Sequence, residues 1–143
     1  MAADAQAWEE MLIADVRANG GRPSQGPLAG HPIMLLYTTG AKSGERRRSI
    51  VTYSSDADGY VIAGTNSGNR SKHPAWLANI HANPGVQIEV ANEVLEAMAT
   101  EATGAERDRL WAQHVTQLPW FGKYPDQITE RTIPIVRLTP KGR

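Results

Sequence analysis

The spacing of apolar residues predicts a helix at the start of the chain, followed by a series of short strands. Apolar residues recur at helical spacing until Gly20-Gly21 interrupts the pattern, so the helix should rest its apolar side on the rest of the protein. Its apolar residues are Trp8, Met11, Leu12 and Val16. Residues 22–31 are rich in glycine and proline and predict a loop.

Short apolar runs separated by turn residues continue through the middle of the chain. The predicted strands are 32–39, 48–53 and 60–63, with turns at 40–44 and 56–59. A polar loop of small residues, 64–72, then leads into a helix. Pro74 suits the first turn of that helix, its apolar side carries Trp76, Leu77 and Ile80, and Asn83-Pro84 ends it.

The last third of the chain predicts more strands, a helix and an aromatic loop. Alternating Val86, Ile88 and Val90 indicate a half-buried strand, and 93–102 is a plausible partner. Thr103 to Glu106 has the form of a capping box before a helix. That helix carries Leu110, Trp111, His114, Val115 and Leu118 at helical spacing. An aromatic loop at 119–127 and a strand at 133–138 follow.

These elements favour a single α+β domain, mainly antiparallel β, built around a barrel and spanning residues 1–143. The pattern alone does not fix the topology.

Composition narrows the possible functions. Lys+Arg and Asp+Glu number 15 each, so no net charge directs the chain to nucleic acid. The absence of cysteine excludes disulfides, thiolate metal sites and thiol nucleophiles. The N-terminus lacks the basic and apolar regions of a secretory signal, and no apolar run is long enough to cross a bilayer. We therefore expect a cytoplasmic protein without stable membrane insertion.

The first feature that could carry chemistry is a basic turn, residues 38–48. Its small residues let backbone amides converge on an anion, while Lys42 and the arginines supply positive charge. Ala41 stands where a Walker A motif needs glycine before lysine, so the turn is not a nucleotide P-loop. A hairpin turn with solubilising charges would have the same composition.

Two further features have the same ambiguity. The polar loop that leads into the helix at Pro74 could bind an anion at the helix N-terminus, or could simply start a helix with Trp76 in the core. Aromatic residues at 120–126 could cover a flat ligand, with Tyr124 offering a phenol proton, or could plug the end of a barrel.

Neither a metal site nor a serine triad is indicated. The four histidines lack ligand spacing, and His31 and His114 are better interpreted as loop and packing residues. The sequence also contains no Gly-x-Ser-x-Gly motif.

In combination and in this order, the features resemble the deazaflavin-dependent nitroreductase family of the flavin/deazaflavin oxidoreductases. The resemblance extends from the N-terminal helix to about Pro140. The segments that carry it are 35–44, 59–62, 73–79, 81–84, Tyr124, Arg131 and 133–136.

The resemblance implies a split β-barrel of the FMN-binding type with short flanking helices. It further implies an oxidoreductase that passes a hydride from reduced coenzyme F-420, an 8-hydroxy-5-deazaflavin with a polyglutamate tail, to an organic acceptor. Quinones, activated alkenes such as enones, and nitroaromatics are the expected acceptors.

The same resemblance assigns site residues. The phosphate and polyglutamate tail are expected along Lys42, Ser43, Gly44, Arg46, Arg47 and Arg48. The ring is expected between Ser49, Ile50 and Val51 on one side and Asn66, Ser67, Gly68, Pro74, Trp76 and Asn79 on the other. The acceptor should lie under the helix and loop of residues 1–30, with Tyr124 as the candidate catalytic residue. No metal is expected.

Three positions depart from the family's usual residues. Ser49 stands where proline is usual, and Asn66-Ser67 stands where Ser-Lys is common, which removes one cation. Asn69-Arg70-Ser71 replaces a Gly-small-Pro stretch, and Arg70 is a candidate for restoring the missing charge. These departures bear on the identity of the acceptor more than on the class of cofactor.

Two other functions remain as alternatives. A related split-barrel reductase would use FMN, which has no polyglutamate tail and no need of a long basic groove. A non-catalytic protein would bind a deazaflavin or a lipid without turning it over. For the F-420-dependent reductase, the expected partner is a small-molecule hydride acceptor and not nucleic acid. A monomer is slightly favoured over an oligomer, and peripheral membrane contact is the most that is expected.

Overall fold

The computed structural model describes residues 2–142, with side chains from residue 6 onward. This part of the chain contains four α-helices and seven strands. In chain order they are α1 (Ala2–Ala18), β1 (Ile33–Thr39), β2 (Arg46–Thr52), β3 (Ser54–Asp56), β4 (Gly59–Ala63), α2 (Ala75–Ala82), β5 (Gly85–Val90), β6 (Glu93–Glu101), α3 (Gly104–Gln117), α4 (Tyr124–Gln127) and β7 (Ile135–Pro140). Short 3-10 helices occupy Asn66–Gly68 and Pro119–Lys123.

The strands form one antiparallel sheet in the order β2-β1-β5-β6-β7-β4-β3. β2 and β3 lie at opposite edges of this sheet, yet Tyr53 alone separates them along the chain. The sheet must therefore curl until its two edges approach each other at Tyr53. This curled sheet with short flanking helices confirms the predicted α+β class and split-barrel form.

The larger apolar core lies on the concave side of the sheet. Met34 and Leu36 of β1 are fully buried there, and Val51 of β2 packs against the same cluster. α2 contributes Trp76, Leu77 and Ile80, which are the residues of its predicted apolar side. This burial fixes α2 next to β1 and β2, where the candidate site lies.

A second core lies under α3 and joins it to the barrel. Its buried residues are Val61, Leu110, Ile128, Ile133 and Ile135. His114 of α3 is also fully buried, with its Nδ1 2.6 Å from Ser54 Oγ. Burial lowers the pKa of His114 to about 4, so this side chain is neutral near pH 7. The prediction that His114 is a packing residue is confirmed.

Several predicted element boundaries are wrong. β2 begins at Arg46 instead of residue 48, and the three-residue strand β3 was not predicted because Ser54–Asp56 has no apolar alternation. The predicted aromatic loop at 119–127 is helical, with Pro119 and Pro125 in the first turns of its two short helices, where proline is tolerated. Thr103 makes no side-chain capping bond to α3, contrary to the predicted capping box.

The predicted apolar face of α1 is only partly correct. Ile13 and Val16 are buried, whereas Trp8 and Met11 are 57% and 69% exposed. Arg17 binds Glu89 of β5 through two hydrogen bonds of 2.8 and 2.9 Å, which hold the C-terminal end of the helix against the sheet. The N-terminal half of α1 therefore presents apolar side chains to its surroundings. No helix in residues 2–142 is long and apolar enough to cross a membrane.

Candidate functional site

A cavity of about 370 Å³ opens between the sheet edge and the loop that precedes α2. We call it the ring groove. β2 forms one wall, the loop of residues 64–73 (the groove loop) and Trp76 form another, and the aromatic turn before α4 forms the third. Its lining residues are Leu28, Ile33, Ser49, Ile50, Val51, Thr52, Ala63, Thr65, Asn66, Ser67, Pro74, Ala75, Trp76, Trp120, Phe121 and Tyr124.

A second cavity of about 500 Å³, the tail groove, continues from the first along the basic turn. The two share Ser49, Ala75 and Trp76, so they form one extended depression. The tail groove is lined by Gly40, Ala41, Lys42, Ser43, Arg47, Arg48, Ser49, Ala75, Trp76, Ala78 and Asn79. An elongated ligand with a flat part and a flexible part fits this shape.

The position of β2 gives the ring groove polar backbone groups. Within residues 2–142, β2 pairs with β1 alone, so its other edge has no strand partner there. The backbone N–H and C=O groups on such an edge are available to a ligand. Residues 49–52 of this edge line the groove, which places amide donors and acceptors beside the space for a flat heterocycle.

The basic turn is braced from α2. Asn79 accepts the backbone N–H of Ala41 at 2.9 Å and donates to Thr38 Oγ1 at 3.1 Å. Ser43 Oγ accepts the backbone N–H of Glu45 at 3.1 Å. Among the described residues Lys42 has no hydrogen-bond or ion-pair partner, so its ammonium group is available to an anion in the tail groove.

The three consecutive arginines do not act together, because alternate residues of a strand point to opposite faces. Arg47 lines the tail groove, and its Nη2 lies 3.3 Å from Oε2 of Glu45. The Arg46 guanidinium lies over the Tyr37 ring, 4.1 Å from its centroid, and bonds to Gln87. Arg48 binds Glu10 of α1 at 2.8 Å.

The ion pair of Arg48 ties the first part of α1 to the sheet edge. Glu9 lies 3.8 Å from the same guanidinium. The hydrogen bond to Glu10 is the main cause that raises the pKa of Arg48 above its usual value. The backbone of Arg48 can still border the tail groove, but its side chain is engaged elsewhere.

The groove loop has an unusual backbone. Asn66, Ser67 and Gly68 have φ values of 47°, 55° and 82°, all in the left-handed region. Gly68 also lies beneath an aromatic ring: a Cβ built there would stand 3.5 Å from Cε1 of Tyr124 and 2.7 Å from Oε1 of Gln127. The close approach explains why glycine suits this position.

Tyr124 lies at the start of α4, half-buried, with its ring between the groove loop and Phe121. The Phe121 and Tyr124 ring centroids are 5.3 Å apart at an interplanar angle of 66°. Its hydroxyl makes no hydrogen bond within residues 2–142, so it is free to donate to a ligand in the ring groove. Trp120 lines the same wall and packs against His31, with ring centroids 4.3 Å apart at an interplanar angle of 55°.

A profile of the F420H(2)-dependent quinone reductases matches residues 8–140. The chain belongs to this family. The family assignment confirms the predicted resemblance, the oxidoreductase class and coenzyme F-420 as the cofactor. The FMN alternative and the non-catalytic alternative are both disfavoured by it.

Individual relatives agree with the assignment. An F420H(2)-dependent quinone reductase of Mycobacterium tuberculosis is 32% identical over 126 residues, which are 86% of this chain and 83% of that protein. The structure of an F420-H2 dependent reductase (FDR-A) superposes with a TM-score of 0.68 at 34% identity, over 75% of this chain and 93% of that one. A chain described as a domain-swapped dimer superposes with a TM-score of 0.69 at 29% identity, over 96% and 99%.

The residues of this quinone reductase family member fit the cofactor that the family name implies. The ring groove offers an unpaired strand edge and flat aromatic walls, while the tail groove offers the unpartnered cation Lys42 and the backbone of a glycine-containing turn. Arg47 adds a second positive charge on that side. A flat deazaflavin and an anionic tail need these two environments side by side.

Most of the predicted site residues come together in the two grooves. Those that line them are Lys42, Ser43, Arg47, Arg48, Ser49, Ile50, Val51, Asn66, Ser67, Pro74, Trp76, Asn79 and Tyr124. Gly44, Arg46 and Gly68 line neither groove, although Gly68 supports the ring of Tyr124. Arg70 also lines neither groove and lies 3.5 Å from Glu130, so the hypothesis that it replaces the missing cation is not supported.

Several lining residues were not named as site residues from the sequence. Ile33 of β1 borders the ring groove and Ala78 of α2 borders the tail groove. Apolar residues of this kind carry no chemical signal, so only the fold reveals them. Gly40 and Thr65, which also line the grooves, lie within the basic turn and the polar loop that the sequence had indicated. The alternation rule for strands, applied to β2, would have placed Arg46 and Arg48 on the face opposite Arg47.

Proposed function

We propose that the chain reduces a quinone at the expense of reduced F-420, with both molecules in the ring groove. The observation that supports this most is the wall of the groove opposite β2, where Trp120, Phe121 and Tyr124 offer flat apolar surface and one free hydroxyl. A planar acceptor can stack there next to a planar cofactor. We further propose that enones and nitroaromatics are reduced in the same groove as a secondary activity.

The cofactor would be held by two sets of contacts. Backbone groups of Ser49 to Val51 would bind the ring edge, and Trp76 and Pro74 would contact its flat surface. Lys42, Ser43 and Arg47 would bind the phosphate and the carboxylates of the tail. When bound, the reduced deazaflavin supplies a hydride.

The protein's own contribution is orientation and charge stabilisation. Reduction of a quinone, enone or nitro group builds negative charge on an oxygen. The Tyr124 hydroxyl is placed to hydrogen-bond such an oxygen or to supply a proton. Phe121 and Trp120 exclude water from this side of the groove, which strengthens that hydrogen bond.

The N-terminal segment of residues 1–30 would cover the acceptor side. Leu28 of its loop lines the ring groove and also borders a third cavity of about 330 Å³, the α1 groove. The α1 groove is otherwise lined by Trp8, Met11, Leu12, Gln25, Gly26 and Pro27. An apolar side chain on the quinone ring could extend from the ring groove into this space.

The oligomeric state belongs to the same proposal. The structurally similar chain described as a domain-swapped dimer gives the predicted monomer no support. Dimer formation in this protein is therefore the hypothesis to test, by light scattering at several concentrations. Peripheral membrane contact has no support from the comparisons.

A panel of acceptors tests the proposed reaction. The purified protein is mixed with reduced F-420 and, in separate reactions, a quinone, an enone and a nitroaromatic, and reoxidation is followed by absorbance. We expect the quinone to give the highest kcat/KM. Faster turnover of the enone or nitroaromatic would reassign the acceptor class, and no turnover of any acceptor despite tight binding would favour a non-catalytic carrier.

A further inference from the structure

Arg131 connects the two ends of the groove loop. Its Nη1 donates to the carbonyl oxygen of Gly64 at 2.8 Å and lies 3.0 Å from Nδ1 of His73. Its Nη2 donates to the carbonyl oxygens of Thr65 and Asn69, both at 3.0 Å, and Nε reaches Asn69 again at 3.2 Å. One guanidinium therefore holds four residues of the loop at once.

Within residues 2–142, the groove loop has three other attachments to neighbouring segments: the Gly64 N–H donates to the Pro134 carbonyl oxygen at 2.8 Å, the Glu130 N–H donates to the Arg70 carbonyl oxygen at 3.2 Å, and the Arg70 and Glu130 side chains form an exposed ion pair. From Asn66 to His73 it is exposed or half-exposed, so apolar burial does not hold it in place. Two sets of hydrogen bonds lie within the loop and set only its internal shape: Asn66 Nδ2 donates to the carbonyl oxygen of Lys72, and Asn69 Oδ1 accepts the backbone N–H groups of Ser71 and Lys72. Among the described residues, no other side chain from outside the loop donates to its carbonyl groups.

The loop also carries backbone strain that needs compensation. Asn66 and Ser67 lie in the left-handed region without being glycine. A residue other than glycine is disfavoured in this region, and the conformation persists only where surrounding contacts enforce it. The planar guanidinium offers five N–H donors in fixed directions, which suits several carbonyl groups converging on one point.

The conformation of the groove loop that Arg131 holds determines the shape of the ring groove. Thr65, Asn66 and Ser67 form part of the groove wall, and Gly68 supports the ring of Tyr124. Arg131 itself lines neither groove. A displaced loop would therefore change the groove wall that faces the cofactor and the position of the Tyr124 ring on Gly68. Arg131 would have this effect without lining the space for the cofactor or the acceptor.

We infer that Arg131 is a positioning residue, which holds the groove loop in the conformation that binds the cofactor. Its partners are backbone carbonyl groups and a histidine nitrogen, with no carboxylate among them. Lysine, with a single ammonium group, cannot reach all of these acceptors together. The link to F-420 rests on the proposed function, whereas the link to the loop conformation does not.

Hydrogen exchange in the absence of cofactor tests the loop itself. The variants are Arg131→Lys and Arg131→Met. The matched control is Arg107→Met, because Arg107 is also partly buried and donates to a carbonyl, that of Ile133 at 2.7 Å, but has no contact with the groove loop. We expect faster exchange at the loop amides in both Arg131 variants and unchanged exchange there in the control. The informative amides are those of Gly68, Asn69, Ser71 and Lys72.

Fluorescence titration with F-420 provides the second readout. The dissociation constant should rise about 10- to 100-fold in the Arg131 variants, as expected when hydrogen bonds to a charged donor are lost, and should stay within about threefold in Arg107→Met. A third variant, Arg131→Ala, leaves space for a guanidinium group, and millimolar methylguanidinium should restore part of its F-420 affinity.

Unchanged loop exchange in Arg131→Lys and Arg131→Met would overturn the inference, as would equal losses of F-420 affinity in the Arg131 and Arg107 variants. If the wild-type protein itself does not bind F-420, the proposed function fails, and the exchange experiment alone then decides the role of Arg131. If Arg131→Met does not fold, Arg131→Lys is the variant that decides.

Discussion

At the scale of single residues, Tyr124 offers the sharpest test of chemistry in the ring groove. Tyr124→Phe keeps the ring on Gly68 and deletes only the hydroxyl. We expect kcat/KM for the best acceptor to fall about 10- to 100-fold, or about 1.4–2.7 kcal/mol, while F-420 affinity stays within about threefold.

Steady-state kinetics of the purified variant provide the measurement. Tyr37→Phe is the matched control, because Tyr37 faces the Arg46 side of the sheet and borders neither the ring nor the tail groove. If Tyr124→Phe has the same kcat/KM as the wild type, the tyrosine is a packing residue and the proton comes from elsewhere.

The charges of the basic turn should contribute unequally to cofactor binding. Lys42→Ala removes the unpartnered cation of the tail groove, so we expect the F-420 dissociation constant to rise about 3- to 30-fold. The effect should shrink as salt is raised, since the charge is exposed and screened. Arg46→Ala should change affinity much less, because its guanidinium is engaged with Tyr37 and Gln87 on the other face.

Titrations of both variants at low and high ionic strength compare these two cations directly. Equal effects of Lys42→Ala and Arg46→Ala would show that the turn acts only through its overall charge. No effect from either variant, together with no salt dependence, would make the turn a solubilising hairpin.

At the scale of elements, the exposed apolar part of α1 predicts a preference among acceptors. Trp8→Ser and Met11→Ser remove apolar surface from the α1 groove. We expect KM to rise about threefold or more for a quinone with a long apolar side chain, because each buried methylene contributes about 0.8 kcal/mol. KM for an unsubstituted quinone should not change.

Ala14→Ser is a suitable control on the same helix, since Ala14 is exposed and lies outside the α1 groove. Kinetics with a series of quinones of increasing side-chain length make the comparison. Equal changes in KM for short and long quinones would remove the α1 groove from the acceptor site.

The order and type of most elements could be predicted from the sequence, because apolar periodicity identifies strands and helices with cores beneath them. β3 could not be predicted, because its three residues have no apolar alternation of their own. They form a strand because they pair with β4. The placement of Trp8 and Met11 also failed. Helical spacing shows which residues share a face, but it does not show how far along the helix the sheet extends.

The candidate site was predictable to a similar degree. The turn at Lys42 and the loop at Asn66 lie about 24 residues apart and meet only because β2 forms the sheet edge next to α2. Only the resemblance to a family predicted that the turn and the loop lie close together. The contact of Arg131 with Gly64 spans 67 residues and carries no sequence signal.

At the scale of the whole molecule, His114 should make stability depend on pH. Its pKa is lowered to about 4 in the folded protein, against an ordinary value of 6.5. The unfolded chain therefore takes up a proton before the folded protein does, and the free energy of unfolding falls as pH drops from about 6.5 toward 4. The contribution is about 3 kcal/mol, is fully present above pH 6.5 and is lost as the pH falls through about 4.

Urea unfolding of the wild type and His114→Gln between pH 7.5 and pH 5 measures this dependence. Glutamine can still hydrogen-bond Ser54 but has no titratable group. We expect the slope of stability against pH to be smaller in the variant. Parallel slopes for the two proteins would show that His114 does not carry the effect.

The central claim is that the connected ring and tail grooves select F-420. Fluorescence titration of the purified protein with F-420 and with FMN, in the same buffer, tests it most directly. Because FMN lacks the polyglutamate tail that the groove at Lys42 and Arg47 would bind, we expect F-420 to bind at least tenfold more tightly, a difference of about 1.4 kcal/mol. Equal or tighter binding of FMN would contradict the account.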